Sequence, residues 1–180
     1  GRPGAAALTE TAQIRWAVLT ASEDAYLRDG APHQNQGSES LLRLRSSGRN
    51  RALVRFDNGD LAAALAGNTL VSAHLELQIR TNGDNWGDGR TVDAHRVTVP
   101  WQESSATWSC PADTDLGNHR ADCAAPWDGG SFEPAATASV LHTNDLSGRV
   151  RFDVTADLEA ALAADQHGVG EDDATGRDCV

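Results

Sequence analysis

The chain has 180 residues, 39% of them hydrophobic, and a formal net charge of −11 at pH 7. This length suits one domain with its own core, and no apolar run approaches the ~20 residues that span a bilayer. An acidic surface repels phosphate backbones, so the charge argues against nucleic acid as a partner. The chain contains no methionine and three cysteines. We therefore expect a processed, exported polypeptide.

Apolar and polar residues alternate along much of the chain, which is typical of strands with one buried and one solvated face. In chain order, the alternation predicts strands at 14–18, 42–45, 51–57, 73–80, 92–95 and 149–154. Long loops are predicted at 29–40, 81–90 and 102–136, and a hairpin turn at 46–50. In each predicted strand one face is apolar and the other carries charged side chains. The pattern therefore predicts an all-β, antiparallel two-sheet sandwich.

The sequence Val-Arg-Phe-Asp occurs twice, at 54–57 and 150–153, and each copy leads into a short Ala- and Leu-rich stretch. Each copy predicts a strand followed by a short helix. We expect Asp60 to cap the start of the first helix and Gly67 to end it, and Thr155 to cap the second. A strand and helix cannot bury an apolar face alone, so the two copies indicate one domain built from similar halves.

Cys110 and Cys123 bracket a polar loop rich in Asp, Asn and Gly. We predict a disulfide between them, with two free thiols as the alternative. Cys179, next to the C-terminal residue, is left without an obvious partner. It is either a free thiol or one half of an intermolecular bridge.

Several short motifs occur in a recognisable order at 24–32, 35–37, 42–45, 51–57, 82–87, 92–97, 101–108 and 152–157. Together they resemble a DNRLRE domain over about residues 20 to 168. The resemblance implies a secreted or cell-surface protein with a jelly-roll-like β-sandwich. Some such domains are family 96 carbohydrate-binding modules, with alginate as a ligand and calcium as a structural ion. We accordingly divide the chain into an N-terminal extension or strand (1–20), the sandwich (21–168) and an acidic, divergent tail (169–180).

The tail departs from the resemblance. Members of the family follow the second helix with further strands, whereas residues 169–180 are acidic and do not alternate. We therefore expect the last one or two strands to be lost, replaced or supplied from elsewhere. A sandwich short of a strand exposes an unpaired edge.

Trp86 is the predicted sugar platform, because a flat indole packs on the apolar face of a pyranose and Trp86 lies in an Asn-, Gly- and Asp-rich loop. Arginines predicted to bind an acidic polysaccharide are Arg43, Arg45, Arg55 and Arg80; a neutral glycan is an equal alternative. Trp101, Trp108 and Trp127 are expected to pack against the core or the disulfide instead.

Calcium binds six to eight oxygens, and several Asp-rich loops are candidates to supply them. The predicted ligands are Asp24, Asp84, Asp88, Asp113 and Asp115. The alternative is ordinary Asx-turn chemistry, in which each carboxylate accepts hydrogen bonds from its own loop.

The chain shows no convergent nucleophile, base and orienting group, and no phosphate loop or metalloprotease motif. The sequence therefore predicts a secreted, non-catalytic module for an extracellular polysaccharide, without nucleic-acid or membrane partners. The alternative is a structural subunit of a fibre, surface layer or biofilm matrix. Such a subunit would assemble by strand complementation at the incomplete C-terminal edge, which residues 12–20 could fill in the same subunit or a neighbour.

Overall fold

The computed structural model describes residues 13–45, 49–83, 86–166 and 177–179. Antiparallel strands dominate it, with two short helices, which confirms the all-β sandwich prediction. The elements are β1 (Glu23–Arg28), β2 (Asn50–Phe56), α1 (Asn58–Leu65), β3 (His74–Ile79), β4 (Arg90–Ala94), β5 (Ala138–His142), β6 (Gly148–Asp153), α2 (Thr155–Gln166) and β7 (Arg177–Cys179). They form one sheet in the order β1-β2-β7 and two strand pairs, β3-β6 and β4-β5.

The β1-β2 pair is buried on both of its faces. On one face, Ala25, Leu27 and Leu53 pack against the long connection between β4 and β5 (residues 95–137). The residues of that connection in the same cluster are Val97, Trp101, Ala106 and Trp108. On the other face, Val54 joins Leu75, Ala94 and Phe152 from the two strand pairs. The β1-β2 pair is thus the middle layer, with the strand pairs on one side and a loop layer on the other.

The face of β2 that carries Arg51 and Arg55 was expected to lie in solvent, and this expectation is wrong. Arg51 and Arg55 point into the loop layer, where their guanidinium groups lie 5.0 Å from the ring of Trp108 and 4.9 Å from the ring of Trp101. Cation–π contacts of this kind let an arginine lie over an aromatic surface without losing its charge. Burial lowers the pKa of Arg51, and the neighbouring Arg49 lowers it further. Alternation alone could not reveal a second covering layer made of loop.

The loop layer is fixed to the β1 side of the domain by a close backbone approach. The Asn35 amide donates to the carbonyl oxygens of Glu103 and Ala106, at 2.7 and 2.8 Å. A Cβ on Gly37 would overlap the backbone carbonyl of Glu103. The predicted disulfide is present between Cys110 and Cys123, whose Cα atoms are 6.0 Å apart. Trp101 and Trp108 are buried as predicted, with only 1% and 3% of their surface exposed.

Both copies of the repeat form a strand and a helix, but the helix caps differ from the prediction. The N-cap of α1 is Asp57, whose carboxylate accepts from the backbone N–H of Asp60. Ala66, in the left-handed conformation, ends that helix one residue before Gly67. Thr155 is the first residue of α2, and its hydroxyl accepts from the N–H of Ala73 instead of capping its own helix. The prediction of Asp60 is wrong because Asp57, which directly follows β2, lies within hydrogen-bond distance of the Asp60 N–H.

The predicted strands at 14–18 and 42–45 are not formed. Residues 13–20 belong to no strand, and within 42–45 only Arg45 forms an isolated bridge, to Asn50. A strand requires a hydrogen-bonded neighbour, and alternation does not supply one. Conversely, β1 and β5 were not predicted as strands, because neither shows a clear alternation of apolar and polar residues.

The prediction that the acidic tail holds no strand is wrong for its end. Residues of β7 pair antiparallel with β2, with Cys179 opposite Val54 and Arg177 opposite Phe56. The remainder of the predicted tail, 169–176, lies outside the described residues, as does Val180. Three residues are too few to show an alternation in sequence, and their pairing depends on the edge that β2 offers.

Candidate functional site

Trp86 lies in the loop between β3 and β4, against the turn that joins β5 to β6. Its indole is partly exposed and meets the ring of His142 edge-on, with 5.1 Å between ring centroids. Its backbone N–H donates to the Asn144 side-chain oxygen at 3.0 Å, and the Asn144 amide donates to the carbonyl oxygen of Gly87 at 3.2 Å. Asn144 therefore holds the loop on both sides of the indole.

A second amide fixes the start of the same loop. The Asn82 side chain donates to the carbonyl oxygens of Thr143 and Leu146, at 2.9 and 3.2 Å. Gly89, at a φ of 116°, closes the loop where a Cβ would press on the carbonyl oxygen of His142. The two loops are thus tied together at one end of the molecule. An indole held this way is already oriented for a ligand, which reduces the entropy lost on binding.

Of the four arginines predicted to bind an acidic polysaccharide, Arg43, Arg45 and Arg55 lie outside the loop that carries Trp86. Arg55 is held by Glu23 at 2.7 Å and by the carbonyl oxygen of Trp101 at 2.6 Å, and only 16% of its side chain is exposed. Arg43 pairs with Glu39 at 3.7 Å and lies 5.9 Å over the ring of Tyr26. Arg45 is exposed and forms an isolated bridge with Asn50, the first residue of β2. Within the described residues, no contact joins these three to Trp86.

Arg80 and Arg90 are the arginines at the end of the molecule where Trp86 lies. Arg80 directly follows β3 and begins the loop that carries Trp86, and Arg90 begins β4 directly opposite His142. Both are exposed, and neither forms an ion pair with any residue that the structure describes. Sequence reasoning missed Arg90, His142 and Asn144. The proximity of His142 and Asn144 to Trp86 depends on the pairing of β4 with β5, which brings together residues more than 50 positions apart in the chain.

The metal candidates lie in three separate places. Asp88 is exposed near Trp86, and Asp84 lies outside the described residues. Asp113 and Asp115 lie in the disulfide loop, where their carboxylates accept from backbone N–H groups of Asp115 and Gly117. Among the described residues, no group of three or more His, Cys, Asp or Glu side chains is placed to hold a metal ion.

Asp24 is the acidic candidate with an unusual environment. Burial raises its pKa, and the negative charge of Glu103 raises it further. The Glu103 carboxylate accepts from the backbone N–H of Asp24 at 3.1 Å, on the free edge of β1. Two carboxylates held together in this way repel each other, and an added positive charge would relieve that repulsion.

The remaining tryptophans divide into buried and exposed. Trp127 is half-buried against the cluster that contains Trp108, and its indole N–H donates to the carbonyl oxygen of Thr107 at 2.8 Å. Trp16, in contrast, is 81% exposed. Trp86 is therefore the tryptophan that combines an accessible indole with a rigid polar surround.

Comparison with known families decides the class. Residues 15–123 match the profile of Carbohydrate-binding module family 96, which is more than half of the chain. The chain belongs to this family. The matched range includes Trp86, Arg80 and Arg90 and the whole disulfide loop, and it ends before β5. A family of carbohydrate-binding modules is generally non-catalytic and typical of an extracellular or surface setting.

Comparisons with curated proteins and with solved structures give no match. Within the described residues, neither helix has the length and apolar character required to cross a membrane.

Proposed function

We propose that this family 96 module is a secreted, non-catalytic domain that holds an extracellular polysaccharide on the indole of Trp86. The observation that carries the proposal is the loop clamped by Asn82 and Asn144, which presents a partly exposed indole at one end of the sandwich. A pyranose ring stacks on such a surface through its C–H groups. The His142 ring supports the indole edge-on and leaves the rest of it to the ligand.

The charge beside the indole bears on the kind of glycan. The protein as a whole carries −11 and would repel a polyanion. At this end, Arg80 and Arg90 are exposed without an ion-pair partner among the described residues. Guanidinium groups bind carboxylates bidentately. The exposed carboxylates of Asp88 and Asp145 lie in the same two loops, however, so the charge at this end does not favour an acidic, uronate-type glycan over a neutral one.

The test is to measure, by titration calorimetry, how the wild-type protein and Trp86→Ala bind short neutral and uronate oligosaccharides. Loss of one stacking indole should weaken binding by about tenfold or more. Trp16→Ala is the matched control, because it also removes an exposed tryptophan, and binding should be unchanged. Short ligands keep avidity out of the measurement. Equal weakening by both substitutions, or no binding to any glycan, would contradict the proposal.

Calcium belongs to the proposal at one place only. In the disulfide loop, one oxygen of Asp113 and both oxygens of Asp115 already accept hydrogen bonds within the loop, whereas the second Asp113 oxygen is buried without a partner among the described residues. Asp24 and Glu103 are our candidate, because the Glu103 carboxylate accepts from the backbone N–H of Asp24 at 3.1 Å, and burial together with the charge of Glu103 raises the pKa of Asp24. We expect calcium to raise the melting temperature of the wild type relative to EDTA, and Asp24→Asn to abolish the difference. A wild type that melts identically in calcium and EDTA would refute the calcium part and leave glycan binding untouched.

A further inference from the structure

The dipeptide Asn-Gly occurs twice in the chain, at Asn58-Gly59 and at Asn82-Gly83. In this dipeptide the glycine backbone nitrogen can attack the side-chain amide carbon of the asparagine, because glycine has no Cβ to obstruct the approach. The new C–N bond closes a succinimide ring, and ammonia leaves with the proton of the glycine N–H. Water then opens the ring at either carbonyl, which gives aspartate or isoaspartate. The amide thereby becomes a carboxylate without an enzyme.

The backbone around each copy decides which one can react. Ring closure requires the glycine nitrogen to turn toward the asparagine Cγ, and Asn58 and Gly59 are the first two residues of α1, where helical dihedral angles oppose this rotation. Asn82 and Gly83 follow β3 and belong to no helix or strand. The Gly83 N–H donates no hydrogen bond to any residue that the structure describes. Asn82 is therefore the reactive copy, and Asn58 is an internal reference.

The hydrogen bonds of Asn82 depend on its amide nitrogen. This nitrogen donates to the carbonyl oxygens of Thr143 and Leu146, at 2.9 and 3.2 Å. An ionised carboxylate only accepts hydrogen bonds. Deamidation would therefore replace two hydrogen bonds by repulsion between a carboxylate and two carbonyl oxygens, and the isoaspartate product would also insert an extra carbon into the main chain. Either product separates the start of the Trp86 loop from the turn between β5 and β6.

We propose that Asn82 is a site of spontaneous deamidation, and that this modification releases the loop that presents Trp86. Asn144 still holds the loop beside the indole, through the Trp86 N–H and the carbonyl oxygen of Gly87, but the tie at the start of the loop is lost. The indole is then less firmly oriented before binding, so the affinity for glycan falls. This last consequence rests on the proposed function, whereas the reaction and the release of the loop do not.

Glycan binding and deamidation oppose each other. Ring closure draws the Asn82 amide toward Gly83 and away from the two carbonyl oxygens, so the reaction proceeds from a locally opened loop. A glycan on Trp86 favours the closed loop and thus lowers the population of the reactive state. The module should therefore be modified mainly while it is free of ligand, and modified copies should bind more weakly.

The experiment is incubation of the full chain in mildly alkaline buffer, which favours loss of the glycine N–H proton, followed by peptide mass spectrometry. We expect Asn82 to be converted several-fold faster than Asn58. Gly83→Ala keeps Asn82 and adds a methyl group that obstructs the attacking nitrogen, so it should slow the conversion by about tenfold or more. The proposal is overturned if Asn82 reacts no faster than Asn58, or reacts equally fast in Gly83→Ala.

Amide hydrogen exchange at the Trp86 N–H, which donates to Asn144, provides the second measurement. Exchange should accelerate by about tenfold or more in Asn82→Asp, which loses both hydrogen bonds. It should be unchanged in Asn58→Asp, the matched control with the same change of charge. Unchanged exchange in Asn82→Asp would overturn the release of the loop. Neither measurement uses a glycan, so a failure of glycan binding is distinguished from a failure of this proposal.

The opposition between the two processes has its own test. A short oligosaccharide that binds the wild type should slow the conversion of Asn82 and leave that of Asn58 unchanged. Equal slowing at both positions, or no slowing at either, would contradict the coupling between Asn82 and the glycan on Trp86.

Discussion

Substitution of Gly37 by alanine tests whether the loop layer is docked on the β1 side by a backbone contact. A Cβ at this position would overlap the carbonyl group of Glu103, whose backbone is also held by the Asn35 amide. The obstacle is main chain and cannot rotate aside, so the cost should lie near the upper end of the 1–3 kcal/mol range for overpacking, at about 3 kcal/mol. For a chain of this size that corresponds to a melting temperature lower by roughly 6–12 °C.

The assay is thermal and urea unfolding of Gly37→Ala and of Gly30→Ala, followed by circular dichroism. An added Cβ at Gly30 would meet nothing within 4 Å. This control should therefore stay within about 0.5 kcal/mol of wild type, as surface substitutions do. If Gly37→Ala unfolds together with the control, the contact with Glu103 is not a fixed feature of the fold and the docking argument fails.

Two further predictions concern the disulfide and the carboxylate pair. Replacing Cys110 and Cys123 together by serine should lower the free energy of unfolding by about 3 kcal/mol, the chain entropy of a loop of roughly 14 residues; urea unfolding measures it, and a loss well under 1 kcal/mol would contradict it. The pKa of Asp24 is raised in the folded protein, so the folded state binds a proton at Asp24 more tightly than the unfolded chain does. The free energy of unfolding of the wild type should therefore fall as the pH rises from about 3.9, the ordinary pKa, through the raised pKa. In EDTA, the free energy of unfolding of Asp24→Asn minus that of the wild type should therefore increase across this pH range and stay constant above it. A difference that is constant from pH 3 to 7 would contradict the raised pKa of Asp24.

Local features of the chain were predictable from its sequence. Alternation identified most of the strands that form the core, including β2, β3 and β6, because burial of one face leaves a period of two wherever a strand separates core from solvent. Cys110 and Cys123 lie close together in the sequence at the two ends of a polar loop, which favoured a disulfide. The Val-Arg-Phe-Asp repeat identified two strand–helix units. Each of these features depends on residues near one another in the chain.

Partners remote in sequence were decided only by the tertiary structure. Residues 14–18 alternate as well as any strand in the protein, yet none of them forms a backbone hydrogen bond with another described residue. The alternation of β2 correctly indicated a strand but misplaced Arg55, since a loop layer covers the face that alternation assigns to solvent. The surroundings of Trp86 were likewise decided by strand pairing, because the pairing of β4 with β5 brings His142 and Asn144 to it from more than 50 residues away in the chain. Sequence fixes which side chains alternate, whereas hydrogen-bonded neighbours and covering layers are non-local, and they determine which alternating segments become strands and which exposed side chains can meet a ligand.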